Sequence, residues 1–313
     1  MTMTVDLPGQ EAQASNTITE FERDFAAKRR RSLRAWTIGT VLFLIIFALT
    51  SWLGDFFKIT QVSMPDGSRE WRWIIPAGLP RLGDYISQTI PTLRWDTLSA
   101  DFAEWFWRWK VWVKLLLETV LIAFMATVFG VIGGFLLSFP ASRNLAPNKW
   151  VLWGSRRYLE IARTVPELVW ALIFVFCFSV GPLAGVLAIG LHATGALGKL
   201  YSEVNENIDM RPLEGVKAAG GSWFDQIRYG AVPQVLPNIL SYTLLRFEIN
   251  VRASSIIGYV GAGGLGQEFR EAMSLQEYTD LSALFVIIFF TVVIIDYGSE
   301  KLRHRVIGME ERT

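Results

Sequence analysis

The chain has 313 residues, is 51% hydrophobic, has a mean hydropathy of +0.32 and carries a formal net charge of +1. So apolar a composition argues against a typical soluble domain and for several membrane spans, and the near-zero charge removes any whole-chain case for nucleic-acid binding. Cys177 is the only cysteine, and His192 and His304 are the only histidines, which excludes an intrachain disulfide, a CxxC pair and a zinc cluster.

Residues 1 to about 27 are polar. Thr17 and Glu20 have the spacing of a capping box, which predicts a short amphipathic helix starting there. Lys28, Arg29, Arg30, Arg31 and Arg34 follow, and then an apolar run from about Trp36 to Leu53. That run begins too far inside the chain for a cleaved signal peptide. The basic cluster predicts that segment 1–34 is cytoplasmic.

Residues 54–110 form a polar, Trp-rich connection that Pro65, Pro76, Pro80 and Pro91 should break into short pieces. Trp105, Trp107, Trp109 and Trp112 crowd its end, as expected of rings at the headgroup level on the outer side. A second span is expected over about Val113–Phe139, and the loop after it carries Arg143, Lys149, Arg156 and Arg157. A third ends near Val180, interrupted by Arg163 and Glu167, and a fourth covers about Leu183–Leu200. A polar cytoplasmic segment, 201–233, precedes a fifth span over about Gln234–Val260. A Gly-rich outer segment, 261–280, precedes the last, Leu281–Tyr297. The tail 301–313 contains Lys301, Arg303 and Arg305. This predicts a six-span region over 35–300 with both termini inside, and each inner loop is basic, as the orientation requires.

The fifth span holds Arg246, Glu248 and Arg252. Each charge at a helix centre costs about 2.5 to 3.5 kcal/mol on insertion scales, so such residues face a partner or a wet pathway. At 100° per residue Thr243, Arg246, Asn250 and Ser254 share one face, and Ser241, Glu248, Arg252 and Ser255 the opposite one. Glu248 precedes Arg252 by four, which predicts an ion pair within the helix. Arg246 has no such partner, since Tyr242 and Asn250 flank it. It is therefore the first candidate for an anionic substrate, because a guanidinium binds phosphate-like oxygens bidentately. A cross-helix partner is the structural alternative; Glu167 is the candidate, unless Arg163, four residues before it, already holds it.

Two patterns do not carry function. Gly261, Gly263 and Gly266 spell G-x-G-x-x-G but lack the βαβ unit that a dinucleotide site requires. Gly198-Lys199 hints at a phosphate loop, yet Leu200 lacks the hydroxyl and Ala193 stands where the first glycine should be, so the chain has no ATP site of its own. His192, in an apolar helix, is expected to be a packed histidine.

Residues Glu214–Pro233, EGVKAAGGSWFDQIRYGAVP, are similar to the cytoplasmic signature loop of bacterial ABC importer permeases, E-A-A-x3-G-x9-I-x-L-P. Glu214, Gly220 and Pro233 are kept; Gly215, Val216, Gly230 and Val232 depart from it. Three further stretches are more specific: Arg163-Thr164-Val165-Pro166-Glu167, GPLAGVLAIGLHATGALGKLYSE from Gly181, and LLRFEINVRASSIIGYVGAGGLG from Leu244. Over about 80–300 the chain resembles the phosphonate ABC importer permeases. The resemblance implies an all-α membrane protein, a six-span permease with a cytoplasmic coupling helix from Glu214 to Gly220. It implies a homodimer in the bacterial inner membrane, two copies of a cytoplasmic ATPase that binds ATP and Mg, and a periplasmic binding protein. Pathway residues would be Arg246, Asn250, Thr243, Ser254, Glu248, Arg252 and Glu167; coupling residues would be Glu214, Gly220 and Pro233; no cofactor or metal belongs to this chain. A methionine-type importer shares the loop, but a zwitterionic amino acid does not require the charged fifth span. A membrane-embedded enzyme would need a nucleophile, base or metal set that the sequence does not offer, and nothing resembles a channel filter.

Overall fold

The computed structural model describes the backbone of residues 8–54, 59–63 and 69–310, and side chains over 28–54 and 82–305. The chain divides into two compact units, Met1–Tyr85 and Ile86–Thr313.

The first unit holds α1 (Pro8–Leu53), an antiparallel hairpin of β1 (Ile59–Ser63) and β2 (Arg69–Trp73), and most of α2 (Ile74–Thr89). In the hairpin Ile59 pairs with Trp73 and Ser63 with Arg69. The helix expected to start at Thr17 starts at Pro8 instead and is continuous to Leu53, so the Thr17–Glu20 spacing marks no helix start. Pro76 and Pro80 do not break the connection, because both lie within α2. Pro76, in the first turn, costs nothing there, since its missing N–H would have had no partner. Pro65 lies outside the described residues.

In the second unit α3 (Leu98–Trp105) leads to α4 (Trp109–Ala141), α5 (Lys149–Thr164), α6 (Glu167–Phe178) and α7 (Pro182–Glu206). α4 and α7 form the central pair, and α5, α6 and α10 (Val232–Ile257) all pack on α7. Small residues let the pair close. Gly130 faces Ala193 and Gly134 faces Gly198 so tightly that an added Cβ would overlap. Small-residue contacts of this kind replace the hydrophobic driving force that is missing between helices in lipid.

The signature segment is largely helical. α8 (Arg211–Ala218) ends before Gly220, whose φ of +85° suits glycine. Leu213 is the one buried residue of α8, and it packs with Phe139, Leu145, Ile227 and Ala231. Glu214, Gly215 and Lys217 are left exposed. A continuous helical run then starts with α9 (Trp223–Asp225), passes through a π-helical turn at Gln226–Ala231 and enters α10 with Pro233 in its first turn. Ser222 caps that run. Its hydroxyl accepts from the Asp225 N–H, and the Asp225 carboxylate accepts from the Ser222 N–H and hydroxyl. Those donors hold the Asp225 carboxyl below its usual range.

After α10, Gly261, Gly263 and Gly264 take positive φ in a turn that docks on α4. There the Leu265 N–H donates to Thr119 Oγ1 at 2.8 Å and the Gly264 N–H to Glu118 at 3.3 Å. The G-x-G-x-x-G spelling is thus a packed turn before α11 (Gly266–Leu275). α12 (Tyr278–Glu310) closes the chain against α10.

Among the described residues four segments are long and apolar enough to cross a membrane: Lys28–Leu53, α4, α7 and Tyr278–Arg305. The bent α5–α6 pair makes a fifth. α10 has the length, with 26 residues, but its charged and amide side chains lower its apolarity.

Candidate functional site

The site forms where a helix breaks. Pro166 forbids the helical conformation at the preceding residue, and Val165 is extended, with φ −73° and ψ 123°. α5 and α6 consequently meet at 89°. The Trp170 indole N–H donates to the Ala162 carbonyl at 3.2 Å and stitches the two pieces together. Glu167 becomes the first residue of α6, at the positive end of its dipole. Because of the break, the i,i+4 pairing of Arg163 with Glu167 is not made. The Arg163 side chain is exposed and has no ion pair among the described residues.

Gly195 brings α7 against this break. A Cβ there would lie 2.6 Å from the Arg163 nitrogen and 2.7 Å from the Leu159 carbonyl. One turn away, His192 Nε2 donates to the Arg163 carbonyl at 3.1 Å. From α10, Arg246 reaches Glu167 Oε1 with Nη2 at 2.7 Å, and the same nitrogen lies 2.7 Å from His192 Nδ1. His192 Nδ1 is also 2.7 Å from Glu167 Oε1. With Nε2 protonated, Nδ1 accepts from Arg246; a second ring proton would let it donate to Glu167 instead. Three helices therefore place an arginine, a carboxylate and an imidazole around one point near the middle of α7 and α10. Arg246 is 8% exposed, and its Nε–H has no hydrogen-bond partner.

Arg246 has no ion-pair partner along its own helix among the described residues, and its partner comes from across the helix interface. The cross-helix alternative, Glu167, is the partner, and His192 is a member of the cluster and not merely packed. The signal for His192 was its place as a lone imidazole in an apolar stretch. Its partners, Glu167, Arg163 and Arg246, all lie far from it in the chain, the last two 29 and 54 residues away, so no local spacing could name them.

Thr243, Arg246, Asn250 and Ser254 do share a face, and it points into the chain. The Tyr201 and Thr243 hydroxyls are 2.7 Å apart. Asn250 donates to Thr127 Oγ1 at 2.9 Å, and Ser254 to the Thr119 carbonyl at 3.1 Å. The four make a polar seam, and Arg246 is its charged member.

The pair expected within α10, Glu248 with Arg252, is not formed. Glu248 accepts from Arg303 at 3.1 Å, and Arg252 binds both oxygens of Asp296 at 2.8 and 2.9 Å. Antiparallel packing of α12 puts both partners opposite α10. One guanidinium nitrogen of Arg252 meets both Asp296 oxygens across the helix interface, so these charges of α10 are paired between helices and not along one helix surface. Asp296 was legible as the lone acid of an apolar span. Arg303 had been counted only as an inner-side charge.

This architecture is that of ABC importer permeases. It superposes with a TM-score of 0.54 on the MetNI methionine ABC transporter in its inward-facing form, over 62% of this chain and 95% of that one, at 20% identity. The same fold recurs in a bacterial ABC transporter that imports alginate (TM-score 0.53, 87% and 99% coverage, 13% identity). Residues 127–297 match the family of binding-protein-dependent transport system inner membrane components, and the chain belongs to that family. It is 34% identical over 215 residues to the phosphite transport system permease protein PtxC of Stutzerimonas stutzeri, covering 69% of this chain and 77% of that one. It is also 34% identical to the phosphate-import permease protein PhnE of Mycolicibacterium smegmatis, over 61% of this chain and 36% of that protein. The chain is thus a multi-pass membrane transport subunit and not an enzyme; an ATPase and a binding protein are the partners its family implies.

Proposed function

We propose that this permease carries a phosphorus oxyanion (phosphonate, phosphite or phosphate) inward across the inner membrane. The observation that carries the proposal is the Arg246 cluster. A guanidinium with an unused N–H, buried beside an imidazole at a broken helix, suits the oxygens of a phosphoryl-type anion. The names of the relatives at 34% identity point to the same chemistry, whereas the likeness to the methionine transporter, at 20% identity, is one of fold.

In this proposal α10 is the sixth span, both termini are cytoplasmic and residues 54–110 lie outside. Two copies of the chain pair with two ATPase subunits, each docked on the exposed face of α8, with Glu214 at its start, Gly220 at its end and Pro233 fixing the following helix. Thr243, Asn250 and Ser254 extend the polar seam beside the path, and Glu248 and Arg252 anchor α10 to α12. The test is uptake of labelled phosphite, phosphate and methylphosphonate by proteoliposomes holding the permease, its ATPase and its binding protein. ATP-dependent uptake of at least one is expected. Uptake of none, together with uptake of an amino acid, would overturn the proposal.

A further inference from the structure

Within the Arg246 cluster one carboxylate oxygen, Glu167 Oε1, meets both the guanidinium and the imidazole. We propose that Glu167 is an internal counter-anion, which holds Arg246 and His192 until the transported oxyanion displaces it. This inference rests on the functional proposal above and adds the residue with which the substrate must compete.

The first argument is stoichiometric. One oxygen, Oε1, meets both Arg246 Nη2 and His192 Nδ1 at 2.7 Å, while Oε2 takes no partner among the described residues. Arg246 meanwhile keeps an unsatisfied Nε–H. A carboxylate is therefore a poor filling for this cluster. A tetrahedral oxyanion offers three oxygens and can take Arg246 Nε–H and Nη2–H together, and the His192 Nδ1–H as well when the ring carries both protons.

The second argument is one of access. The Arg246 side chain is 10% exposed, against 18% for Glu167 and 19% for His192. The carboxylate thus forms part of the open side of the cluster, with the arginine behind it. The third argument is the helix break. Glu167 is the first residue of α6, so its own N–H and that of Leu168 have no carbonyl a turn earlier to bind. An anion that takes the place of the carboxylate meets the same dipole end. Arg163, whose carbonyl holds His192, is exposed and has no ion pair among the described residues, so the break carries a further positive residue.

A purely structural salt bridge predicts the opposite behaviour. Removing the Glu167 charge would then only loosen α6 and gain nothing in anion binding. The test uses the permease–ATPase complex in nanodiscs without binding protein, with radiolabelled phosphite and phosphate as probes in equilibrium binding. Glu167→Gln, which removes the competing charge and keeps the shape, should bind the probe about tenfold tighter than wild type, and Arg246→Ala should not bind it. Glu167→Asp keeps the charge but shortens its reach. It guards against a folding failure of the glutamine variant and should bind about threefold tighter, since the carboxylate can no longer span both partners. A folded Glu167→Gln complex, or if that fails a folded Glu167→Asp complex, with affinity equal to or weaker than wild type would overturn the inference. If the wild-type complex transports phosphite or phosphate while neither variant gains affinity, only the role of Glu167 is lost. If the wild type transports no phosphorus oxyanion, the functional proposal falls and takes this inference with it.

Discussion

Glu248 of α10 is held by Arg303 of α12, 3.1 Å away and 55 residues later in the chain. The glutamate side chain is 9% exposed and the arginine 31%. Loss of the arginine leaves a buried carboxylate with no compensation, whereas loss of both members leaves a neutral gap. One rung along, Arg252 grips Asp296. Together the two contacts fix the register of α12 on α10.

Glu248→Ala should lower stability by about 1 kcal/mol, less than loss of Arg303 would, because the arginine it leaves behind is partly exposed. Arg303→Ala in that background should restore part of it, and Arg252→Ala should not. The measurement is the thermal midpoint of the detergent-extracted protein across the single and double variants. Equal rescue by Arg252→Ala would show that the helix-surface pair exists after all.

α8 offers a second test. An added Cβ at Gly215 meets nothing within 4 Å, so Gly215→Ala should stabilise this helix by about 0.5 to 1 kcal/mol. Glu214→Ala should leave insertion intact and weaken ATPase binding, since it removes a first-turn carboxylate from the exposed face. Pull-down of the ATPase with each variant reads both effects. Wild-type retention and wild-type ATP hydrolysis with Glu214→Ala would remove Glu214 from the docking surface.

The cap at Ser222 predicts a pH dependence. The folded Asp225 carboxyl sits below its usual value because the Ser222 hydroxyl, and then its N–H, donate to it. Its stabilising contribution is therefore fully present above the unfolded carboxylate value of about 3.9 and is lost as pH falls through the folded value. The thermal midpoint of wild type should exceed that of Ser222→Ala at pH 6, and the gap should narrow as the pH falls below the unfolded carboxylate value. A constant gap across that range would detach the carboxylate from the cap.

Topology can be read from labelling on a Cys177→Ser background. Trp95 lies in the turn before α3 and Trp150 in the first turn of α5 beside Lys149, both outside the segments apolar enough to cross a membrane alone, so cysteines there report the side on which each loop lies. Trp95→Cys should react from the outer side and Trp150→Cys only after the inner side is opened. The reverse pattern would invert the proposed orientation.

Much of this was visible in the sequence, for definable reasons. Apolar runs and basic loops located α4, α7, α12 and the membrane part of α1, since length and hydropathy are local properties. The charges at Arg163 and Glu167 marked the interrupted span, though not the break that Pro166 makes in it, and Arg246 stood out by its cost in lipid. What escaped were pairings. Arg246 meets Glu167 across 79 residues, and Glu248 and Arg252 take partners from α12, so helical spacing alone chose the wrong ones. The hairpin β1–β2 was hidden in a segment whose prolines read only as breaks.

The central claim, that Arg246 meets the transported anion, is tested most directly by uptake of labelled phosphite into proteoliposomes with Arg246→Ala and Arg246→Lys. His192 remains beside Glu167 in the alanine variant, 2.7 Å away, so that protein should still fold. The account predicts normal yield with uptake lost for Arg246→Ala, and reduced uptake for Arg246→Lys, because an ammonium cannot make the bidentate contact. Wild-type uptake by Arg246→Ala at wild-type yield would contradict it.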